Sequence, residues 1–290
     1  MKKTLSFLLL AMITLGSVCA QQNEPPPKIG IVLSGGAARG FAHLGALQAL
    51  HDAGIYPSYV AGASMGAVIG SVYASGMQPA KIYAFAQKQN YVQLFTPSLF
   101  SQSGGLSKTT FIRKMLDALI DHNSFDSLKL PFYASITNLD LARDEIKHSG
   151  DLKTIVCASS AVPLVFVPVK MDGYTYVDGG TLNNLPVDPL LQIADCRYII
   201  GVSVVATPED LREDWKGIDP AMRAFDIMVK KTEMENRSKC HFFLEVEETS
   251  MLKISDFNKV DSFYEMGYKE MSKYIRQTPE LEKLSMYYQK

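Results

Sequence analysis

Two strand-to-helix transitions follow one another within the first eighty residues, and both run through loops of small residues. Ile29-Gly30-Ile31-Val32-Leu33 is a continuous apolar run, suited to a strand buried on both faces. After a loop of small residues, Arg39 to Ala53 reads as a helix with Leu44, Leu47 and Leu50 at helical spacing and Gly54 as its stop. Tyr59-Val60-Ala61 is a short second strand, and a second helix starts at Ser64 with Val68, Ile69, Val72 and Tyr73 on its apolar side. Strand, helix, strand, helix in this rhythm predicts an α/β fold with a mostly parallel sheet and right-handed crossovers.

The pattern continues in the same class. Pro79 opens a helix to about Gln87, and Lys108–Ile120 is amphipathic, with Phe111, Ile112, Met115, Leu116 and Leu119 inward. Between them Tyr91–Leu106 has no clear period and is expected to form a flap. Phe132–Thr137 reads as a strand with Glu145–His148 as its partner, and Asp151–Ala161 as a helix ending before Pro163. Val167–Met171 and Tyr174–Val177 flank Asp172-Gly173, a hairpin signal. Tyr198–Val205 and Phe242–Val246 are further strands. The stripe Val260, Phe263, Tyr264, Tyr268, Met271 and Tyr274 predicts a tail helix packed on the domain.

Residues 1–20 have the order of a secretory signal: Met1-Lys2-Lys3, an apolar stretch from Leu5 to Leu15, then Val18-Cys19-Ala20. Export to the periplasm or medium is expected. Lipidation at Cys19 is disfavoured by Val18 and Gly16, where a lipoprotein signal has a small residue and leucine. Residues 21–28, with three prolines, read as a tether, and 29–290 as one domain whose segment 206–290 is a helical extension. A formal net charge of −1 gives no electrostatic footprint for nucleic acid. Cys157, Cys196 and Cys240 allow one disulfide at most, Cys196–Cys240 being the pair considered. The sequence leaves the oligomeric state open.

The loops between strand and helix carry the chemistry. Gly62-Ala63-Ser64-Met65-Gly66 has the G-x-S-x-G form that turns sharply and leaves a serine exposed at the bend. The alternative is an ordinary helix N-cap, for which serine is favoured. Gly35, Gly36, Ala37, Ala38, Arg39 and Gly40 form the earlier loop, suited to presenting backbone N–H groups to an anion. A dinucleotide fingerprint would need glycine at position 37, and a phosphate-binding P-loop is excluded by Phe41 after Gly40. No cofactor and no metal cluster is implied. Serine and anion loop together point to acyl transfer. Asp178 leaves a strand into Gly179-Gly180, where a carboxylate would be held rigidly or would simply form a turn. A Ser64, Asp178, His241 triad remains open on the residues alone.

These segments, with Ala42-His43-Leu44-Gly45, Ala158-Ser159-Ser160-Ala161-Val162-Pro163, Val177-Asp178-Gly179-Gly180 and Asn183-Asn184-Leu185-Pro186, resemble the bacterial branch of the patatin-like phospholipase family over about residues 28–205. The resemblance implies a three-layer α/β/α fold and a histidine-free dyad, with Ser64 as nucleophile and Asp178 as base. It further implies an oxyanion site around Gly36, Ala37 and Ala38, ordered by Arg39, while His43 is read as structural. The expected substrate is a lipid ester such as a phospholipid, met at a membrane surface. A non-catalytic lipid-binding module on the same fold is the alternative. Ala37 departs from the family's frequent third glycine, so a positive φ there would be strained.

Overall fold

The computed structural model describes residues 26–95, 105–205 and 219–287. The expected export signal, Cys19, most of the tether and the centre of the expected flap lie outside these residues. In chain order the described strands are β1 (Lys28–Leu33), β2 (Tyr59–Ala63), β3 (Gly105–Ser107), β4 (Phe132–Asn138), β5 (Arg143–Lys147), β6 (Leu164–Phe166), β7 (Val169–Met171), β8 (Tyr174–Asp178), β9 (Cys196–Ser203) and β10 (Phe242–Glu245). The helices are α1 (Ala42–Asp52), α2 (Met65–Ala74), α3 (Pro79–Ala86), α4 (Thr110–Leu119), α5 (Leu152–Ser159), α6 (Asp188–Leu191), α7 (Asp219–Arg237), α8 (Val260–Gln277) and α9 (Pro279–Ser285).

The main sheet runs β10-β9-β1-β2-β4-β8-β7, with β5 also on β4, and its pairs from β10 to β4 are parallel. Alternation along β1 divides the core. Ile29, Ile31 and Leu33 face the larger layer with α1, α2, α5 and α8, while Val32 faces Leu185, Val187 and Leu190 on the other side. This is the expected α/β/α arrangement with a mostly parallel sheet.

One detail of the sheet positions the site. β5 pairs with Ala134–Asn138 of β4, while β2 pairs with Phe132–Ser135 and β8 with Ile136–Asn138. A strand has two edges, so β2 and β8 must share the edge opposite β5, end to end. Ala63 then lies opposite Ser135, and Asp178 opposite Ile136, the next residue of β4.

Most expected elements are present within a few residues. The Asp172-Gly173 hairpin joins β7 to β8 with φ of 53° and 82°, the sign pair of a type I′ turn. The first helix differs: it opens as a 3-10 turn over Ala37–Phe41 before α1 begins. The short parallel pair β3–β6 was not anticipated. Within the helical extension expected over 206–290, α7 had no individual bounds from the sequence; its buried stripe is Val229, Glu233 and Asn236.

The tail helix α8 is part of the same core, and of its expected stripe Val260, Phe263 and Met271 are buried while Tyr264 and Tyr274 pack partly buried against it. Phe263, Gly267, Met271 and Ile275 are buried, whereas Tyr268 lies at the edge and donates to Asp52 at 2.9 Å. Close backbone approach sets this face. A Cβ on Gly45 would lie 1.9 Å from the Tyr264 carbonyl oxygen, and one on Gly267 would lie 1.9 Å from that of Ala42. No described helix is long and apolar enough to cross a membrane.

Gly267→Ala is expected to lower the unfolding free energy by about 3 kcal/mol through overpacking, although alanine alone favours a helix by about 1 kcal/mol. Urea denaturation measures this, and an unchanged or raised midpoint would contradict the close crossing.

Candidate active site

Ser64 stands at the junction of β2 and α2 with φ 52° and ψ −125°, a conformation rare for a non-glycine residue. Close packing holds it there. A Cβ on Gly62 would come 2.6 Å from the Gly66 carbonyl, and one on Gly66 would come 2.2 Å from the Leu33 carbonyl oxygen. Two hydroxyls from the end of α5 grip the turn: the Ser64 N–H donates to Ser159 Oγ at 3.0 Å, and Ser160 Oγ donates to the Ser64 carbonyl at 3.2 Å. Ala67 and Val68 also donate to that carbonyl, beginning the helix. The ordinary N-cap alternative does not describe this residue, because its side chain makes no cap bond and its φ is positive.

Asp178 ends β8, 1% exposed. Its N–H donates to the Ala161 carbonyl at 3.0 Å, and its carbonyl accepts from Thr137 Oγ1 at 2.9 Å. Oδ1 accepts the Gly180 N–H at 2.7 Å, while Oδ2 is buried without a hydrogen-bond partner among the described residues. Burial pushes the carboxyl up to about 7, against the opposing pull of the Ser64 side chain and the Gly180 N–H. The Ser64 hydroxyl is thus near enough to favour the ionised carboxylate, but completes no bond of full hydrogen-bond geometry on Oδ2. The following glycine is required sterically, since a Cβ on Gly179 would lie 2.1 Å from the Ser135 carbonyl oxygen.

The 35–40 turn packs directly on the serine: a Cβ on Gly35 would lie 2.8 Å from Ser64 Cβ, and one on Gly40 would lie 2.2 Å from Met65 Cγ. Ala37 has φ 48°, the strain anticipated for an alanine there. The donors narrow on inspection. Gly35 N–H goes to Asn184 Oδ1, Arg39 N–H to the Gly36 carbonyl, and Ala38 N–H to the Ile254 carbonyl at 3.0 Å. Ala38 was expected among the anion donors, but its N–H is already engaged. The N–H groups of Gly36 and Ala37 have no partner among the described residues.

Supporting side chains surround the turn. Arg39, 2% exposed, reaches the Leu252 carbonyl at 3.5 Å and Asp226 of α7 at 3.9 Å, tying the turn to the C-terminal segment. His43 is fully buried and donates from Nε2 to the Ser34 carbonyl at 2.8 Å. Burial lowers it to about 4, so the ring is neutral at physiological pH.

The structure excludes one arrangement left open by the sequence. His241 precedes β10, and the register Phe242–Ile200–Ile31–Val60 places it at the level of Tyr59, at the opposite end of the sheet from Ser64. Five residues along and three strands across amount to roughly 20 Å. Its Nδ1 accepts the Ile199 N–H instead. The thiols of Cys157, Cys196 and Cys240 are free. Among the described residues no three His, Cys, Asp or Glu side chains converge to hold a metal ion. Nothing in the sequence pattern assigns a role to Ser159, Ser160, Asn184 or Glu233. The first three lie in motifs already noted, but only the fold brings them to the turns they bind.

Comparison with known proteins identifies the family and the fold. The model of the patatin-like phospholipase family matches residues 31–191, and the chain belongs to that family. A protein of the NTE family from Mycobacterium bovis is 31% identical over 184 residues, covering 61% of this chain and 49% of its own. A lysophospholipase from Emericella nidulans is 29% identical over 197 residues, covering 66% of this chain and 13% of its own. The chain thus spans about half the length of the mycobacterial relative and far less of the fungal one. VipD from Legionella pneumophila shares the fold with a TM-score of 0.58 at 16% identity, over 87% of this chain and 67% of that one. ExoU from Pseudomonas aeruginosa, solved with SpcU, does so with a TM-score of 0.51 at 13% identity, over 88% and 53%.

Because the folded carboxyl of Asp178 titrates near 7 rather than 3.8, its burial destabilises the fold progressively as pH rises between those values. The full effect is on the order of 4 kcal/mol. The melting temperature of Asp178→Asn minus that of wild type is therefore expected to increase from pH 4 to pH 8, as read by calorimetry. A gap independent of pH would contradict the raised pKa.

Proposed function

We propose that the protein is a serine acyl hydrolase of lipid esters, of the phospholipase A or lysophospholipase type, working through a Ser64–Asp178 dyad. The observation that carries this reading is the abutment of β2 and β8 on one edge of β4. It sets a strained serine beside a buried carboxylate whose Oδ2 has no hydrogen-bond partner among the described residues. The family, and the lysophospholipases among the relatives, support the substrate class.

The steps follow from the groups present. Asp178 takes the Ser64 proton as Oγ attacks the acyl carbonyl, and the N–H groups of Gly36 and Ala37 hold the resulting oxyanion. Asp178 returns the proton to the departing alcohol oxygen, leaving an acyl-serine. It then deprotonates a water that attacks the ester, and Ser64 Oγ leaves with that proton as the fatty acid is released. A base with pKa near 7 suits this double duty at neutral pH. Positive φ at Ser64 turns its side chain away from the helix-cap position, and the residue is 6% exposed, so the exposed serine expected at the bend is here a buried one. With the signal read at 1–20, the enzyme works outside the cytoplasm on membrane or dispersed lipid.

Fluorophosphonate labelling and hydrolysis of lysophosphatidylcholine and phosphatidylcholine test the dyad. Ser64→Ala is expected to lose labelling, and both Ser64→Ala and Asp178→Asn to lose hydrolysis by at least about 10³-fold. His241→Ala is expected to stay within about threefold of wild type, because that side chain lies at the far end of the sheet. Labelled Ser64→Ala would overturn the assignment, and acyl-chain binding by a wild type without turnover would favour the binding-module alternative.

Since the base must be ionised, kcat/KM should climb tenfold per pH unit below about 7 and level off above it. A rate constant across pH 5–8 would remove Asp178 as the base.

A further inference from the structure

Asn184 connects the 35–40 turn to a helix outside the segment matched by the family. Its side chain is 1% exposed. Oδ1 accepts the Gly35 N–H at 3.0 Å, and Nδ2 donates to Glu233 Oε2 at 3.1 Å. The partners force this orientation: the N–H requires an acceptor and the carboxylate a donor, so oxygen and nitrogen cannot be exchanged. The Asn184 N–H donates to Thr232 Oγ1 on the same helix at 3.4 Å. Three residues on from Glu233, Asn236 donates to Asn183 Oδ1 at 3.1 Å and to the Leu185 carbonyl at 2.9 Å, so α7 grips this segment on successive turns. Glu233 is itself 1% exposed, with Lys230 Nζ 3.6 Å from its other oxygen.

We infer that Asn184, aimed by Glu233 of α7, is a positioning residue that sets the direction of the Gly36 and Ala37 N–H groups. The inference rests on the reading of Ser64 and the 35–40 turn given above. The Gly35 carbonyl accepts from Ser34 Oγ at 2.9 Å and the Gly36 carbonyl from the Arg39 N–H at 3.1 Å, bonds internal to the turn, while Asn184 holds the peptide that precedes them and so ties the turn as a unit to α7. This anchor lies where the turn meets the nucleophile: the Cβ position of Gly35 is 2.5 Å from Asn184 Oδ1 and 2.8 Å from Ser64 Cβ. Negative charge develops on the acyl oxygen only after attack, so loss of the anchor weakens transition-state binding while leaving ester binding in place.

A polarity swap tests the relay. Asn184→Asp sets two carboxylates against each other. Combined with Glu233→Gln, the introduced amide donates to the introduced carboxylate, which still accepts the Gly35 N–H. Hydrolysis of a p-nitrophenyl ester and fluorophosphonate labelling are measured on the full chain, with folding followed by circular dichroism. Asn184→Asp is expected to lower kcat by about 100-fold with KM within about threefold, and to slow labelling in parallel. The double variant should recover to within about tenfold of wild type. Asn184→Ala, which introduces no repulsion, should lose at least about tenfold and serves where Asn184→Asp does not fold. Folded Asn184→Ala labelled at the wild-type rate, or a double variant no faster than Asn184→Asp, overturns the relay. Wild type that is not labelled, or Ser64→Ala that is, overturns the reading of Ser64 and the relay with it.

Discussion

One edge of β4 accepts two chains running in opposite directions, and the rest of the site depends on that abutment. β2 arrives parallel and leaves at Ala63, and β8 arrives antiparallel and ends at Asp178, opposite consecutive residues of β4. Backbone hydrogen bonds therefore fix the relative position of two residues far apart in sequence, before any side chain contributes. A serine and a carboxylate on separate loops would need side-chain packing to find this register. Here the sheet supplies it, to the tolerance of a strand ladder.

The groups placed there are held in states that the fold alone would not favour. Ser64 has a positive φ, Ala37 repeats that strain in the neighbouring turn, and Asp178 is buried with one oxygen unpartnered among the described residues. Each costs stability, and each is over-determined by contacts that admit no simple relaxation. Gly66 touches the end of β1, Gly179 touches Ser135 in the middle of β4, and the hydroxyls of Ser159 and Ser160 hold the backbone of Ser64 on both sides. Arg39 and Asn184 bring the C-terminal helices into the same assembly. The helix and loop beyond residue 191 that carry these partners are structural support for turns that precede them.

Much of this was legible in the sequence because backbone geometry writes itself in small residues. Gly62 and Gly66 around Ser64 announced the elbow, Asp172-Gly173 the hairpin, and Gly179-Gly180 the abrupt end of β8. The position of α7 within the expected helical extension was not legible, for a physical reason. Its buried positions are Val229, Glu233 and Asn236, so the helical period is carried largely by polar residues that a hydrophobic pattern does not register. The tail helix was legible through Val260, Phe263 and Met271. Its closest contact was not, because it runs through Gly267, which has no side chain to signal it. Donor identity in the 35–40 turn was equally hidden, since only the fold shows that Ile254 has taken the Ala38 N–H.

The central position of β1 has a consequence for how the chain is made. Its Ile31 pairs with Val60 on one side and with Ile200 on the other. The first partner emerges within a few seconds of synthesis, but the second follows roughly 10–30 s later at ordinary elongation rates. Through that interval an apolar strand in the middle of the future sheet keeps one edge open, which is the geometry that templates unwanted pairing with other chains. A nascent chain of this topology therefore has a long window of vulnerability to aggregation, closed only when β9 arrives.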